Sequence, residues 1–396
     1  MWPTVTLEEI GQWGSGGTPL VSRREYYDGD VPWLIIEDLN DGVVRTSKRF
    51  ITQLGLENSS AKVVEPGALL IAMYGSIGKL GIAGMACATN QAIAFCRCYT
   101  DKISAKFLFY YLLASRSTLT HAGRGGTQQN ISQEILKAFP VPLPPLQEQH
   151  RIAALLDKAD RLRRSRRYAQ ELSNSVLQSV FLEMFRSKKS HTWTFETIEY
   201  LAKEGQNAIR TGPFGSQLLH SEFTDHGIAV LGIDNAVQNR FTWDKRRFVS
   251  KEKYDQLKRY TVYPGDVLIT IMGTCGRCAV VPDNIPPAIN TKHLCCITLD
   301  QRKCLPIYLQ ACFLTHPFVL SQLGISERGA VMPGLNMGII KDLKIPIPPL
   351  SLQEEFVHAV QRWDSLRVQQ AEAERQAEHF FQTLLHRAFS AVAGTL

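Results

Sequence analysis

The chain has 396 residues, 44% of them hydrophobic, and a formal net charge of +7. This length predicts two or more domains, the hydrophobic content is sufficient for ordinary cores, and low-complexity tracts are absent. A mildly basic balance permits nucleic-acid binding without establishing it.

The cysteines and the apolar stretches both favour a cytoplasmic protein. Nine cysteines, an odd number, occur without a basic and apolar N-terminal leader, which predicts reduced thiols rather than disulfides. Residues 68–88 are almost entirely apolar, but Lys79 interrupts them, and the equivalent later stretch contains Asp266 and Arg277. A membrane-spanning helix requires about 20 apolar residues without a mid-span charge, so we expect none.

The chain is a tandem duplication. The hinge Pro142-Leu-Pro-Pro-Leu-Gln-Glu-Gln-His150 has a second copy, Pro346-Ile-Pro-Pro-Leu-Ser-Leu-Gln-Glu-Glu355, 204 positions later. Each copy ends a globular segment and begins a long polar segment without internal proline. The sequence predicts a domain at 1–145, a spacer helix at 146–190, a second domain at 191–349 and a C-terminal helix at 350–396.

Inside the domains, residues 48–79 align without a gap with residues 246–277, at a constant offset of 198. In each copy a Pro-Gly turn precedes a short apolar strand, and a second glycine turn follows it. The strands are expected at 69–73 and 267–271, and helices at 105–114 and 305–313. The repeats therefore predict an α+β fold with two similar domains.

The two long helices carry an apolar stripe and opposite charges. Residues 147–190 have a net charge of +5, and residues 350–396 have a net charge of −2. About 40 helical residues span ~60 Å, and one such helix cannot bury its stripe alone. We expect an antiparallel coiled coil with a pseudo-two-fold axis. The positions predicted to form the helix or partner interface are Ile152, Leu155, Leu162, Arg163, Arg167, Phe356, Val360, Trp363 and Phe381.

Several loops carry side chains suited to DNA. Glycine turns can present backbone N–H groups, arginine and lysine bind phosphate or guanine, and amides make paired bonds to adenine. The structural alternatives are tight hairpins and helix caps. The loop 210–216 of the second domain begins with Arg210, and its first-domain counterpart 14–18 lacks an arginine. Such a difference fits two domains that read different DNA sequences. The candidates are Tyr74, Gly75, Ser76, Lys79, Arg124, Thr127, Gln128, Gln129, Asn130, Arg210, Ser216, Thr274, Arg277, Arg328 and Asn336.

Two clusters leave alternatives open. The arginines of residues 161–167 contact DNA phosphates, pair with acids on the other helix or on a partner, or form a passive solvated surface. Cys275, Cys278, Cys295 and Cys296 either form a zinc site or are small buried thiols. The first repeat has Ile77 where the second has Cys275, so we favour buried thiols and expect no metal.

The duplicated order, the hinge and the Gly75-Ser-Ile-Gly78 turn resemble the specificity subunit of type I restriction–modification enzymes. The resemblance covers essentially the whole chain. It implies two target-recognition domains, each reading half of a split site in double-stranded DNA. It also implies that the helices set the gap and dock two modification subunits, which would use S-adenosylmethionine to methylate adenine. Restriction subunits using ATP and Mg²⁺ would then join in a bacterial or archaeal cytoplasm.

The second hinge departs from this pattern, because Leu350-Ser-Leu-Gln-Glu-Glu355 stands where the first has Leu146-Gln-Glu-Gln149. If this were a two-residue insertion, the start of the second helix would shift in register. The sequence has no phosphate loop, no Asn/Asp-Pro-Pro-Tyr/Phe methyltransferase motif and no His-Glu-x-x-His, which predicts a subunit that is not an enzyme on its own. The alternatives are a recognition subunit for a fused nuclease–methylase and a coiled-coil adaptor without a DNA role. The sequence does not give the half-site sequences or their spacing.

Overall fold

The computed structural model describes residues 2–122, 130–185, 193–243, 246–324 and 334–393. The chain forms two compact units. The first unit is Met1–Tyr168 with Ala371–Leu396, and the second unit is Ala169–Gln370. Each unit thus combines one globular repeat with a half of both long helices, whereas the predicted boundaries treat each helix as a separate segment.

The first unit contains eleven strands among its described residues. They are β1 Thr4–Thr6, β2 Gly11–Ser15, β3 Tyr27–Leu34, β4 Gly42–Val44, β5 Phe50–Ile51, β6 Val63–Val64, β7 Leu69–Ala72, β8 Leu80–Ala83, β9 Cys87–Thr89, β10 Ile93–Cys98 and β11 Pro140–Pro142. Its helices are α1 Gln53–Glu57, α2 Ala105–Ala114, α3 Arg116–Ala122, α4 Gln133–Lys137 and the first half of α5 Leu146–Phe185.

The second unit repeats the plan. Its strands are β12 Thr194–Thr197, β13 Ile209–Thr211, β14 Ile228–Leu231, β15 Phe248–Val249, β16 Thr261–Val262, β17 Val267–Thr270, β18 Cys278–Val280, β19 Ala288–Asn290, β20 Leu294–Ile297 and β21 Lys344–Ile347. Its helices are α6 Ile198–Leu201, α7 Lys251–Leu257, α8 Pro306–Thr315, α9 Pro317–Gln322, α10 Met337–Asp342 and the first half of α11 Leu350–Ala393.

The sheets of the two units have the same strand order. In the first unit the orders are β2-β10-β7-β8-β4 and β5-β3-β9-β6, and in the second they are β13-β20-β17-β18 and β15-β14-β19-β16. Both units contain a parallel pair at the same place, β3 with β9 and β14 with β19, and the first unit adds β4, parallel to β8, at the end of its larger sheet. The α+β class and the common topology of the repeats are therefore confirmed.

The central strand of each unit is apolar on both faces because it lies between two cores. Leu69 and Ile71 face a core shared with α2, while Leu70 faces the core under the second sheet. In the second unit Val267 and Leu268 divide in the same way. A strand that is covered on both faces reads as a continuous apolar run, which is why periodicity predicted these strands correctly.

The long helices pair in antiparallel fashion within each unit. In the first unit Arg163 contacts Glu378 and Arg167 contacts Glu374, so residue numbers fall along α11 as they rise along α5. In the second unit the ring of Phe356 lies 5.5 Å from those of Phe181 and Phe185. The predicted helices and their direction are confirmed.

The apolar stripes are buried mainly in the cores of the globular repeats. Ile152 and Phe381 belong to the core of the first unit, and Phe356 belongs to that of the second, with Val360 packed against it. Trp363 is half-buried. The globular repeats therefore supply much of the surface that covers these stripes.

Leu155 and Leu162 are two of the positions predicted for the helix or partner interface. Their side chains are 45% and 44% exposed. The pair is seven residues apart, so both side chains lie on one face of α5, which other described residues leave open. The described part of the chain has no helix that is long and apolar enough to cross a membrane.

The second long helix begins in the same register as the first, relative to its hinge. Gln149 and Gln353 are fully buried and occupy equivalent positions. Gln149 Oε1 accepts the N–H of Ser104 at 2.8 Å, and Gln353 Oε1 accepts that of Leu305 at 2.9 Å. Both amide nitrogens donate to a proline carbonyl of their own hinge. The hinges therefore align without an insertion.

Candidate nucleic-acid interface

The first unit presents an exposed glycine turn between β7 and β8. Gly75 and Gly78 have φ angles of +63° and +75°, a region that side chains with a Cβ rarely adopt. Tyr74 is 39% exposed, and Gly75 and Ser76 are also exposed. Nothing lies within 4 Å of a Cβ built on Gly75, so an approaching ligand can reach its backbone.

The second unit presents the equivalent turn, with φ angles of +72° at Gly273 and +77° at Gly276. Thr274 and Arg277 are exposed. No described residue pairs with the Arg277 guanidinium, whereas Lys79 is half-buried and donates from Nζ to the Ile36 carbonyl at 3.0 Å. The two basic residues share a sequence position, but only Arg277 is free to bind a ligand as the domain stands.

Each glycine turn is stabilised by a residue that the sequence analysis did not identify, Asp41 in the first unit and Asn239 in the second. Asp41 and Asn239 have φ angles of +56° and +57°, again at an offset of 198. Asp41 Oδ1 accepts the N–H of Leu80 at 2.9 Å, and Asn239 Oδ1 accepts that of Cys278 at 3.2 Å. The sequence contained a signal for these two residues, because an acid and an amide recur at the same offset of 198 as the glycine turns.

The support of the first turn reaches the long helix. Arg116 is ion-paired with Asp41, and its Nε donates to the Gly78 carbonyl at 2.8 Å. Arg164 of α5 hydrogen-bonds to the Asp41 carbonyl and pairs with Asp160. A chain of charged groups thus connects the glycine turn to α5 within the first unit.

The structure brings Asn130 to the first glycine turn. Asn130 forms an antiparallel bridge with Tyr74, and the Ile131 N–H donates to the Met73 carbonyl at 3.0 Å. Asn130 does not cap α4, because Ser132 holds that position. The other candidates of this loop, Arg124, Thr127, Gln128 and Gln129, lie outside the described residues.

The corresponding loop of the second unit ends at a helix cap. Asn336 is exposed, but its Oδ1 accepts the Ile339 N–H at 2.9 Å at the start of α10. One acceptor of this side chain is therefore already used. Arg328 lies outside the described residues.

The assignment of Arg210 to DNA was wrong. Its side chain is 5% exposed and lies 2.5 Å from the carboxylate of Asp266, which is 1% exposed. The guanidinium also donates to the Thr261 carbonyl and to Thr298. Burial alone would lower the pKa of Arg210, but the charge of Asp266 and its hydrogen bond keep that pKa above the ordinary value. This arginine bonds within the domain, and the exposed residues of its loop are Phe214, Gly215 and Ser216.

The arginines of α5 favour the interhelix alternative. Arg163 is only 12% exposed, donates to Asp160 at 2.7 Å and to Glu378 at 3.1 Å, and lies 3.9 Å above the Phe381 ring. Arg167 reaches Glu374 and Glu378. Both guanidinium groups thus face carboxylates of α11.

The four cysteines do not converge on one point. Cys278 and Cys295 face the core shared with α8, whereas Cys296 faces the opposite core, since neighbouring strand residues point to opposite faces. Burial raises the pKa of Cys295 to about 12. Among the described residues, no group of three or more metal-binding side chains is present.

The two units share one topology, and each has an exposed glycine turn stabilised by an equivalent hydrogen bond, from Leu80 to Asp41 or from Cys278 to Asn239. This arrangement defines a protein with two similar recognition domains. The model of the family described as type I restriction modification DNA specificity domain matches residues 1–171 and 217–377. The chain belongs to this family. Its role is the recognition of a DNA target, and the catalytic activities of such systems reside in other subunits.

Similar proteins extend over most of the chain. The type I restriction enzyme MjaVIII specificity subunit of Methanocaldococcus jannaschii is 24% identical over 382 residues, covering 92% of this chain and 86% of its own. The EcoBI specificity subunit of Escherichia coli is 23% identical over 417 residues, covering 98% and 85%.

Solved structures share the fold. A chain of a type I R-M system, studied for complex assembly and conformational transition, superposes with a TM-score of 0.61 at 17% identity, covering 98% of this chain and 97% of its own. The S subunit of the type I system of M. genitalium gives a TM-score of 0.59 at 15% identity, with coverages of 98% and 96%.

Proposed function

We propose that this chain reads a bipartite duplex site, with the glycine-turn surface of each domain contacting one half-site. The observation that carries this proposal is the recurrence of the same exposed turn, on the same support, in two domains of one topology. Exposed backbone N–H groups suit phosphate, and side chains beside them suit base edges.

The first reading surface consists of the turn and the residue bridged to it. Its members are Tyr74, Gly75, Ser76 and Asn130. The second surface consists of Thr274 and Arg277, with Asn336 and Ser216 as further exposed side chains. The two sets differ chemically, which agrees with half-sites of different sequence.

The long helices would dock two modification subunits. Leu155 and Leu162 remain about half exposed on one face of α5, and such a face favours a partner helix over solvent. An apolar contact at these positions would hold one modification subunit near the half-site of the first domain. Those subunits would supply S-adenosylmethionine and flip the target adenine into their own pocket, and restriction subunits using ATP and Mg²⁺ would complete the complex in the cytoplasm.

A binding experiment with methylation mapping tests the proposal. The chain and its modification subunits are produced together in a bacterial host without adenine methylation, and methylated adenines are mapped across the genome. We expect one split motif with a fixed spacing, and a labelled duplex with that motif should bind the complex in preference to a scrambled duplex at moderate salt. Random methylation, or equal binding of both duplexes, would contradict the proposal.

The same experiment separates the alternatives. A coiled-coil adaptor would leave the genome without a new motif. A recognition subunit for a fused nuclease–methylase would produce the motif only with that single partner chain and not with a separate modification subunit.

A further inference from the structure

One pair of arginines occupies the same position in both repeats but has different surroundings. Arg49 and Arg247 precede β5 and β15 at the offset of 198. The Arg49 carbonyl accepts the N–H of Trp33 at 2.9 Å, and the Arg247 carbonyl accepts that of Val230 at 2.8 Å. The two side chains therefore start from equivalent points of the fold.

In the second unit the arginine is folded back. Arg247 is ion-paired with Asp234, which lies in the 3-10 turn Ile233–Asn235 after β14. A Cβ built on Gly232 would lie 2.4 Å from Nη2 of Arg247. A side chain at position 232 would therefore require the Arg247 guanidinium to shift.

In the first unit the arginine is free. Ile35 stands at the position of Gly232, and Glu37 stands at that of Asp234, in the matching 3-10 turn Ile36–Asp38. Arg49 and Glu37 are both exposed. Among the described residues, none pairs with the Arg49 guanidinium or the Glu37 carboxylate, and Ser47 bonds only to the Arg49 backbone. Ile35 places a branched side chain where the second unit has a glycine beside the Arg247 guanidinium.

The 3-10 turns that contain Glu37 and Asp234 lie beside the glycine turns. Lys79 of the first turn donates to the carbonyl of Ile36, next to Glu37. In the second unit a Cβ on Gly273 would lie 3.0 Å from the Ile233 side chain, next to Asp234. The 3-10 turn after β3 and the one after β14 thus each lie next to a glycine turn, and Arg49 bonds to β3 through its carbonyl.

We propose that Arg49 reads a guanine in the half-site of the first domain, and that Gly232 and Asp234 withhold Arg247 from this role in the second. This inference rests on the proposed function and names a specificity-determining residue for it. An exposed guanidinium without a partner can place two N–H groups on the O6 and N7 atoms of guanine without first breaking an ion pair. Arg247 would have to give up Asp234 to make the same contact.

The test uses the complex of the full chain with its modification subunits and duplexes carrying the mapped motif, with every base pair substituted in turn. Arg49→Ala should abolish the preference for one G·C pair in one half-site, a loss of discrimination of roughly 5- to 150-fold. The other half-site should be unchanged. Arg45→Ala removes an equally exposed arginine from the same domain and should retain every preference.

Arg49→Lys separates base reading from phosphate contact. Lysine keeps the charge but not the two parallel N–H groups, so this variant should lose the same preference while it retains most of its affinity. A uniform loss of affinity for all duplexes with Arg49→Ala would overturn the proposal in favour of a phosphate contact, and unchanged discrimination would also overturn it. If the unsubstituted complex itself shows no preference, the proposed function fails rather than this inference.

Discussion

Gln149 and Gln353 are uncharged polar residues that the fold buries completely, one at the start of each long helix. Gln149 also donates to the carbonyls of Lys102 at 3.0 Å and of Pro144 at 2.8 Å. One amide therefore joins the helix, the hinge and the loop before α2. A buried amide is stabilising only while all its partners are present, so each position depends on glutamine.

We predict that Gln149→Leu lowers the free energy of unfolding by about 2–4 kcal/mol, because it leaves a buried N–H and two carbonyls without partners. The measurement is urea unfolding followed by circular dichroism. Gln147→Leu, at an exposed position two residues earlier, is the matched control and should change stability by less than about 0.5 kcal/mol. Equal effects of the two substitutions would mean that the hydrogen bonds of Gln149 contribute little.

The roles of single residues were harder to predict from the sequence than the helices and strands. The glycine turns were found because positive φ angles require glycine and the pattern occurs twice. Arg210 was misassigned because its partner Asp266 lies far along the chain, and a sequence does not reveal which arginine meets a buried carboxylate. Asp41 and Asn239 had a readable signal, since both recur at the repeat offset.

At the scale of elements, the contact between α5 and α11 in the first unit is charged as well as apolar. Glu378 is partly buried, which would raise its pKa, but hydrogen bonds from Gln382 and Arg163 and the charges of Arg163 and Arg167 hold that pKa below its ordinary value. The carboxylate therefore stays ionised and paired. This pairing explains why the opposite net charges of the two long helices correctly indicated that the helices associate.

The arginines of this contact should matter for stability and not for DNA. We predict that Arg163→Ala lowers the free energy of unfolding by about 1–3 kcal/mol, since it removes a cation–π contact and leaves Glu378 and Asp160 with fewer partners. In the double variant Arg163→Ala, Arg167→Ala, the slope of log affinity for DNA against log salt concentration should be unchanged, because no phosphate contact is lost.

Arg166→Ala is the control for that experiment, because Arg166 is exposed and no described residue pairs with it. It should leave the unfolding free energy within about 0.5 kcal/mol of the unsubstituted chain. A slope reduced by one or two in the double variant would instead assign these arginines to the DNA backbone.

Element boundaries were predicted closely where local rules decide them. Helix α2 agrees with its expected range, and both long helices begin within a few residues of the predicted positions, because the proline hinge fixes their start. The burial of their stripes was predicted less well. Periodicity identifies an apolar face, but the surface that covers it depends on tertiary packing, as exposed Leu155 and buried Ile152 illustrate.

At the scale of the whole molecule, each compact unit is assembled from distant parts of the chain. The end of α11 belongs to the first unit, where the Phe381 ring lies 6.2 Å from that of Tyr110. The start of α11 belongs to the second unit, where Phe356 packs on Phe181. The duplication alone did not predict that α11 contributes to both units, because the repeat pattern assigns each helix only to the domain that it follows.

Two phenylalanines on the same helix should therefore stabilise different units. We predict that Phe381→Ala costs about 3–5 kcal/mol in the first unit and Phe356→Ala a similar amount in the second, since each leaves a cavity in a closed aromatic core. Hydrogen exchange measured by mass spectrometry distinguishes them. Phe381→Ala should accelerate exchange in β7 and α2 while leaving β17 and α8 protected, and Phe356→Ala should do the reverse. If either variant accelerated exchange equally in both units, the division into two separately stabilised units would be wrong, and the long helices would have to couple the two cores into one cooperative structure.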